Sequence, residues 1–141
     1  VYSPSMRGKV PRLVIALDTS GSTIDLLPQF LREIEHILNA CPRFSLKLIQ
    51  CSAQISSVHD VDHHRRYEIS RLSLEGGGGT RFQPVFDHIE RERCYPDLLI
   101  YLTDGCGPEV DQAPIYPVIW LLSEGSAPAQ FGMSLSLEGV S

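Results

Sequence analysis

The sequence predicts an α/β fold of three layers, in which a mostly parallel central sheet is flanked by helices. Short runs of continuous apolar residues, at 13–17, 98–102 and 118–122, are typical of strands that are buried on both faces. Two longer segments, 24–40 and 82–93, carry apolar residues three and four positions apart, as one face of a helix does. The 141 residues suffice for one domain, and no apolar run approaches the roughly 18 residues of a membrane helix.

Composition and charge restrict the partners that the chain can bind. Hydrophobic residues make up 43% of the sequence and charged residues 21%, which is the composition of a folded globular domain. The net charge of −5 argues against nucleic acid or a membrane as partner, because both are anionic and require a basic face. The four cysteines lack the Cys-x-x-Cys spacing of a zinc knuckle. They indicate free thiols in a reducing compartment, so we expect a cytoplasmic protein.

The first half of the chain predicts a strand, a helix and two further strands. Residues 1–9 are polar and form a linker or N-terminal arm, so the domain itself covers 10–141. The first strand ends at Asp18, and the helix after it holds Pro28 in its first turn, where proline is tolerated. Apolar and alternating residues then predict two strands joined by a hairpin, at Ser45–Ser52 and Ile55–Val61.

The second half of the sequence predicts a helix and three strands after a glycine-rich break. Residues 67–74 alternate weakly between apolar and polar and are followed by a run of four glycines, 76–79. A helix at 82–93 precedes a buried strand that ends at Asp104, whereas 105–116 is too rich in glycine and proline for a helix. The last two elements are a buried strand at 116–122 and an edge strand at 131–137.

Two of the buried strands end at an aspartate followed by a turn. Asp18 ends the first strand, and Asp104 directly follows the strand at 97–103. In open α/β sheets, ligands bind at the carboxyl ends of the strands. We therefore expect these two carboxylates to lie at one site, although they are far apart in the sequence.

Hydroxyl side chains accompany both carboxylates. The pattern D-x-S-x-S puts Ser20 and Ser22 on the same side of the chain as the aspartate, and Gly21 lets the chain bend there. A later hydroxyl, Thr80, follows Gly79, which we expect to act as a hinge. Carboxylate and hydroxyl oxygens suit Mg²⁺ or Mn²⁺ rather than zinc or copper. Two carboxylates balance the charge of a divalent ion, and an acidic side chain of a partner would fill its open coordination position.

Together these segments resemble the von Willebrand factor A-type (VWA) domain with its metal-ion-dependent adhesion site (MIDAS). The resemblance covers roughly residues 10–122 and is carried by the segments Leu17–Ser22, Gly78–Phe82 and Pro96–Gly105. It implies a truncated VWA or Rossmann-like fold, Mg²⁺ or Mn²⁺ as cofactor, and a non-enzymatic module that captures an acidic residue of a protein partner. The five metal positions that it implies are Asp18, Ser20, Ser22, Thr80 and Asp104. The partner-binding loops that it implies hold Gly21, Gly79, Arg81 and Gly105.

The details resemble the compact VWA-like domains of bacteria. In those proteins the domain often follows a predicted metallopeptidase-like region, and related proteins act with AAA+ ATPases of the MoxR type. The chain begins with Val1 rather than methionine, and we expect it to be the C-terminal part of such a longer protein. It departs from the full VWA pattern in the short segment 105–116 and in its reduced C-terminal end, so one side of the sheet is expected to be thinly covered.

Two other functions stay open at this point. A metal-dependent hydrolase or phosphotransferase would use Asp18 as its nucleophile, but the second aspartate that such chemistry needs two residues later is replaced by Ser20. No general base is placed near Asp18 by the spacing. The glycine run lacks the Gly-Lys-Ser/Thr ending of a phosphate-binding loop. The third possibility is a metal-free structural domain beside a metallopeptidase-like region.

Overall fold

The part of the chain that the structure describes forms a six-stranded sheet with one α-helix on each face. The computed structural model describes residues 10–74, 76–123 and 129–137. The strands are β1 (Arg12–Asp18), β2 (Ser45–Cys51), β3 (Ile55–Asp62), β4 (Leu98–Thr103), β5 (Val118–Leu122) and β6 (Met133–Ser136). The α-helices are α1 (Leu27–Asn39) and α2 (Gln83–Glu92). The predicted class, a mostly parallel sheet between helices, is confirmed.

The order of the strands places β1 near the middle of the sheet. The order is β3-β2-β1-β4-β5-β6, and only the β2–β3 hairpin is antiparallel. From β1 the chain proceeds to β2 on one side, and it later returns to β4 on the other side. The carboxyl ends of β1 and β4 therefore flank a topological switch point, which is where open α/β sheets bind their ligands.

Alternate residues of the central strands pack against different helices. In β1, Leu13, Ile15 and Leu17 belong to the core beneath α1, whereas Val14 and Ala16 belong to the core beneath α2. Side chains that alternate between two buried faces explain why this strand is continuously apolar. Trp120 of β5, which its apolar context places in the core, is 2% exposed in the layer beneath α2.

The first α-helix begins later than the predicted segment 24–40, at Leu27. Residues Gly21–Leu26 form a 3-10 helix, and the α-helix starts only at Leu27, with Pro28 in its first turn. The hydroxyl of Thr23 donates a hydrogen bond to the carbonyl oxygen of Asp18 at 2.6 Å. This bond holds the chain in a tight turn directly after β1, which the apolar spacing cannot reveal.

The polar segment after β3 also differs from its pattern. The weak alternation at 67–74 is not a strand, because His63–Arg71 forms a second 3-10 segment in which only Ile69 is buried. The carboxylate of Asp62 accepts a hydrogen bond from the backbone N–H of His64 at 2.9 Å and caps its start. No helix among the described residues is long and apolar enough to cross a membrane.

Candidate metal site

The carboxylate of Asp18 lies at the buried end of β1 and accepts hydrogen bonds from three groups, of which the hydroxyl of Thr23 is the most distant, at 3.4 Å from Oδ1. Its side chain is 0% exposed. Oδ1 accepts a hydrogen bond from the backbone N–H of Ser20 at 2.9 Å, and Oδ2 accepts one from the hydroxyl of Thr103 at 2.5 Å. A buried carboxylate is stable only with such donors or with a neighbouring cation. Asp18 is therefore fixed in one orientation at the switch point.

Ser20 and Ser22 present a pair of hydroxyl oxygens beside Asp18. The two Oγ atoms lie 3.2 Å apart. Neighbouring ligands of an octahedral Mg²⁺, with metal–oxygen distances of about 2.1 Å, lie about 3 Å apart. Ser20 is buried whereas Ser22 is exposed, so the pair leads from the interior to the surface. Their spacing fits two adjacent positions around one hard cation.

The glycine-rich segment 76–79 is bonded directly to the loop after β1. The backbone N–H of Gly21 donates to the carbonyl oxygen of Gly78 at 3.0 Å, and the N–H of Gly77 donates to that of Thr19 at 2.7 Å. A Cβ atom on Gly76 would lie 2.7 Å from the Thr19 carbonyl oxygen, closer than atoms can approach. The glycines thus allow two backbone segments to meet, and the chain that leaves them leads to Thr80.

Thr80 lies beside the loop that follows β4. Its methyl carbon would be 3.1 Å from a Cβ atom on Gly107, so the two residues are in close contact. The next residue, Arg81, donates its backbone N–H to the carbonyl oxygen of Ser52 at 3.0 Å, and its side chain is exposed. The glycine-rich segment and the β4 loop are consequently neighbours at this edge of the sheet.

Asp104 follows β4 and is half-buried. Its Oδ1 accepts a hydrogen bond from the backbone N–H of Cys106 at 3.0 Å. The hydroxyl of Thr103, which donates to Asp18, accepts a bond from the N–H of Gly105 at 3.1 Å. Gly105 has a φ of +78°, a conformation that glycine adopts readily. Thr103 therefore links the two aspartate-bearing loops through its single hydroxyl.

Two residues of this arrangement were not among the predicted site residues. Thr103 and Thr23 are both 0% exposed. Thr103 donates to the carboxylate of Asp18, whereas Thr23 donates to its carbonyl oxygen at 2.6 Å and more weakly to its Oδ1 at 3.4 Å. The sequence holds one signal for Thr103, which is a hydroxyl at the last position of an otherwise apolar strand, directly before Asp104. Thr23 resembles any hydroxyl of a turn, so its role becomes visible only in the structure.

A thiol and a phenol lie beneath the site in the core. Burial raises the pKa of Cys51 to about 11, and the negative charge of Asp18 adds to this rise. A hydrogen bond with Tyr101 and the positive charge of Arg81 oppose it. Burial likewise raises the pKa of Tyr101 well above its ordinary value. Both groups are therefore neutral at physiological pH and supply no anionic ligand.

The chemistry of the donor set fits a hard cation. Among the residues that the structure describes, no three or more His, Cys, Asp and Glu side chains gather in one group. The oxygens at the switch point instead come from two carboxylates and from hydroxyls. Such a set suits Mg²⁺ or Mn²⁺ and lacks the nitrogen and sulfur ligands that zinc prefers.

The order of the strands, the two flanking helices and the loops at the carboxyl ends of β1 and β4 define a VWA-like α/β domain. The family model "VWA-like domain (DUF2201)" matches residues 13–138. The chain belongs to this family.

Solved bacterial structures share the fold at low sequence identity. BatB from Bacteroides thetaiotaomicron superposes with a TM-score of 0.61 at 16% identity, over 80% of this chain and 66% of BatB. An aerotolerance-related membrane protein from Bacteroides fragilis, carrying multiple mutations to serine, gives 0.62 at 16%, over 79% and 67%. A von Willebrand factor type A protein from Catenulispora acidiphila gives 0.54 at 15%, over 83% of this chain but 34% of its own. No curated protein sequence matches the chain significantly.

Proposed function

We propose that the domain is a protein-interaction module that binds Mg²⁺ or Mn²⁺ and, through the ion, an acidic residue of a partner. The observation that carries this proposal is the meeting of Asp18, Ser20 and Ser22 with the β4 loop at the topological switch point. A buried carboxylate, a pair of hydroxyl oxygens 3.2 Å apart and a second, half-buried carboxylate support an adhesion-type metal site there.

The residues have different roles in this proposal. Ser20, Ser22 and Thr80 ligate the ion through their hydroxyls. Asp18 would act directly or through water, and the hydrogen bonds from Ser20 and Thr103 fix the orientation of its carboxylate. Asp104, which lies nearer the surface, balances the second positive charge directly or through water. The ion supplies a Lewis-acidic position that a partner's carboxylate occupies.

An adaptor role is favoured over hydrolysis or phosphoryl transfer by the burial of Asp18. A nucleophilic carboxylate must reach the substrate, whereas this side chain is 0% exposed. Thr103 and the backbone N–H of Ser20 also hold it away from the surface. The partner-binding surface consists of the loops around Gly21, Gly79, Arg81 and Gly105. We propose that the partner is a MoxR-type AAA+ ATPase. We also propose that this domain follows a metallopeptidase-like region within a longer protein.

Calorimetric titration with Mg²⁺ and Mn²⁺ tests the metal site. We expect saturable binding to the wild type and no binding to Asp18→Ala or Asp104→Ala. Asp87→Ala is the matched control, because Asp87 is exposed on α2 and accepts a hydrogen bond only from Gln83 among the described residues. A second titration with glutarate then tests capture of a carboxylate. Glutarate binding that requires the metal supports the proposal.

Three results would contradict parts of this proposal. Equal metal binding by the wild type and Asp104→Ala would place the ion elsewhere. Turnover of a phosphoester that is abolished by Asp18→Asn would favour the enzyme. For the partner, a purified MoxR-type ATPase is expected to bind the wild type in Mg²⁺ and to lose binding with Asp104→Ala. Equal binding in EDTA would separate that interaction from the metal.

A further inference from the structure

A cavity lies next to the candidate metal site on the α2 face of the sheet. Its volume is about 170 Å³, and its walls include Phe82, Val110, Trp120, Ala129 and Gln130. An internal cavity of about 150 Å³ is large enough to admit benzene. This cavity therefore has room for one ring or one branched aliphatic side chain.

The cavity is continuous with the loops that hold the candidate ligands. Gly105 and Gly107 line it, and Gly105 directly follows Asp104. A Cβ atom on Gly107 would lie 3.0 Å from the ring of Phe82 and 3.1 Å from the methyl group of Thr80. One glycine thus contacts both a cavity wall and a residue of the metal site, so a ligand at the ion and a group in the cavity would be neighbours.

The walls of the cavity are firmly held, and they combine apolar side chains, among them Phe82, Val110 and Trp120, with the polar side chains of Glu109 and Gln130. Gln130 forms a two-point amide contact with the backbone of Val110, accepting from its N–H at 2.7 Å and donating to its carbonyl at 2.8 Å. The rings of Phe82 and Trp120 pack edge to face with centroids 5.2 Å apart. The Nε1 atom of Trp120 is buried and has no hydrogen-bond partner among the described residues.

We propose that this cavity is a specificity subsite, which receives an apolar side chain next to the acidic residue that the metal binds. The inference rests on the proposed function, because the carboxylate at the ion anchors the apolar arm. It restricts the partner sequences that the site recognises to those in which an acidic residue is flanked by an aromatic or branched aliphatic residue. An acidic residue without such a neighbour binds the ion but leaves the cavity unused.

A series of small carboxylic acids tests the subsite. The probes are propionate, which has no arm, and 3-phenylpropionate and 5-phenylpentanoate, which carry a ring on arms of two lengths. The chain has one tryptophan, so the single indole N–H resonance in a ¹H–¹⁵N spectrum reports on the cavity wall. With Mg²⁺ present, we expect at least one phenyl acid to bind roughly tenfold more tightly than propionate and to shift this resonance.

A matched pair of variants tests whether the tighter binding of the phenyl acid arises in the cavity. Ala129→Leu fills the cavity without touching a candidate ligand, and we expect it to abolish the advantage of the phenyl acid while propionate binds as before. Ala40→Leu makes the same change at an exposed position at the end of α1, on the other face of the sheet, and should keep the advantage. If Ala129→Leu does not fold, the acid series on the wild type still tests whether the cavity is a subsite.

The outcomes separate the subsite from the metal site. Metal-dependent propionate binding with no gain from either phenyl arm overturns the subsite and leaves the proposed function standing. A phenyl acid that shifts the indole resonance equally in Mg²⁺ and in EDTA overturns the link between cavity and ion. Absence of any metal-dependent binding of acids overturns both proposals. A gain that requires Mg²⁺ and disappears in Ala129→Leu supports both.

Discussion

The hydroxyl of Thr103 donates a hydrogen bond to the carboxylate of Asp18 at 2.5 Å, across the two strands that flank the switch point. The same oxygen accepts a hydrogen bond from the N–H of Gly105 at 3.1 Å. A side chain at the end of β4 therefore orients the carboxylate of β1 and also holds the turn that carries Asp104. The geometry of the candidate site depends on a residue that is itself too buried to meet a partner.

Two replacements of Thr103 should distinguish the contribution of this hydrogen bond to stability from the contribution of side-chain packing. Thr103→Val keeps the shape of the side chain but leaves Oδ2 of Asp18 buried without its donor, and we expect a loss of about 2 kcal/mol in the free energy of unfolding. Thr103→Ser keeps the hydroxyl and removes one methyl group, at a cost of about 1 kcal/mol. Urea denaturation in EDTA measures both.

The Mg²⁺ affinities of Thr103→Val and Thr103→Ser show whether the Thr103 hydroxyl positions Asp18 for metal binding or only stabilises the fold. We expect Thr103→Val to weaken Mg²⁺ binding several-fold at a temperature where it is fully folded, and Thr103→Ser to retain the affinity of the wild type. Wild-type affinity in Thr103→Val would show that the hydrogen bond serves the fold alone. Calorimetry on both variants provides the comparison.

Mg²⁺ should stabilise the folded domain by mass action. At a free concentration one hundred times the dissociation constant, a ligand that binds only the folded state adds about 2.7 kcal/mol to the free energy of unfolding. We expect thermal denaturation to show this rise for the wild type and for Asp87→Ala, but not for Asp104→Ala. A rise of equal size in Asp104→Ala would indicate that the ion binds at some other place.

The fold was predictable from the sequence because its strands and helices have strong and different periodicities. The apolar runs of β1, β4 and β5 and the spacing of α1 and α2 led directly to a mostly parallel sheet between helices. The turn after β1 was not predictable in this way. Its 3-10 geometry depends on the bond from the Thr23 hydroxyl to the Asp18 carbonyl, which is a contact between specific atoms rather than a periodicity.

The sequence indicates the candidate ligands but not the residues that orient them. Asp18 and Asp104 stand out because each interrupts an apolar strand at its end. The residues that orient them, and the cavity between Phe82 and Trp120, arise from packing between segments far apart in the chain. No local pattern encodes such distances, so the sequence does not indicate which groups lie beside the ligands.

The glycine-rich segment offers a test with an internal control. Gly76→Ala would put a Cβ atom 2.7 Å from the backbone carbonyl oxygen of Thr19, which cannot move without displacing the loop after β1. We expect a loss of 1 to 3 kcal/mol, about the cost of overpacking, together with weaker Mg²⁺ binding. At Gly79, by contrast, a Cβ atom meets only the Ala53 Cβ, at 4.0 Å.

Gly79→Ala is therefore expected to change the free energy of unfolding little. The comparison also tests whether Gly79 is a hinge, because a hinge residue would alter metal or carboxylate binding while leaving stability unchanged. Equal losses of stability in both variants would mean that chain flexibility, and not the close approach at Thr19, sets the need for glycine. Denaturation and calorimetry on the two proteins distinguish these results.

The buried thiol of Cys51 should make stability depend on pH in the alkaline range. Burial raises its pKa from 9.0 to about 11, so the folded protein keeps a proton that the unfolded chain loses. This contribution is complete below pH 9 and is lost as pH rises towards 11. Between pH 8 and pH 10 the wild type should lose about 1 kcal/mol more than Cys51→Ala, which has no thiol to titrate. Urea denaturation of both proteins in EDTA at the two pH values measures the difference, and parallel losses would contradict the burial of a neutral thiol beneath Asp18.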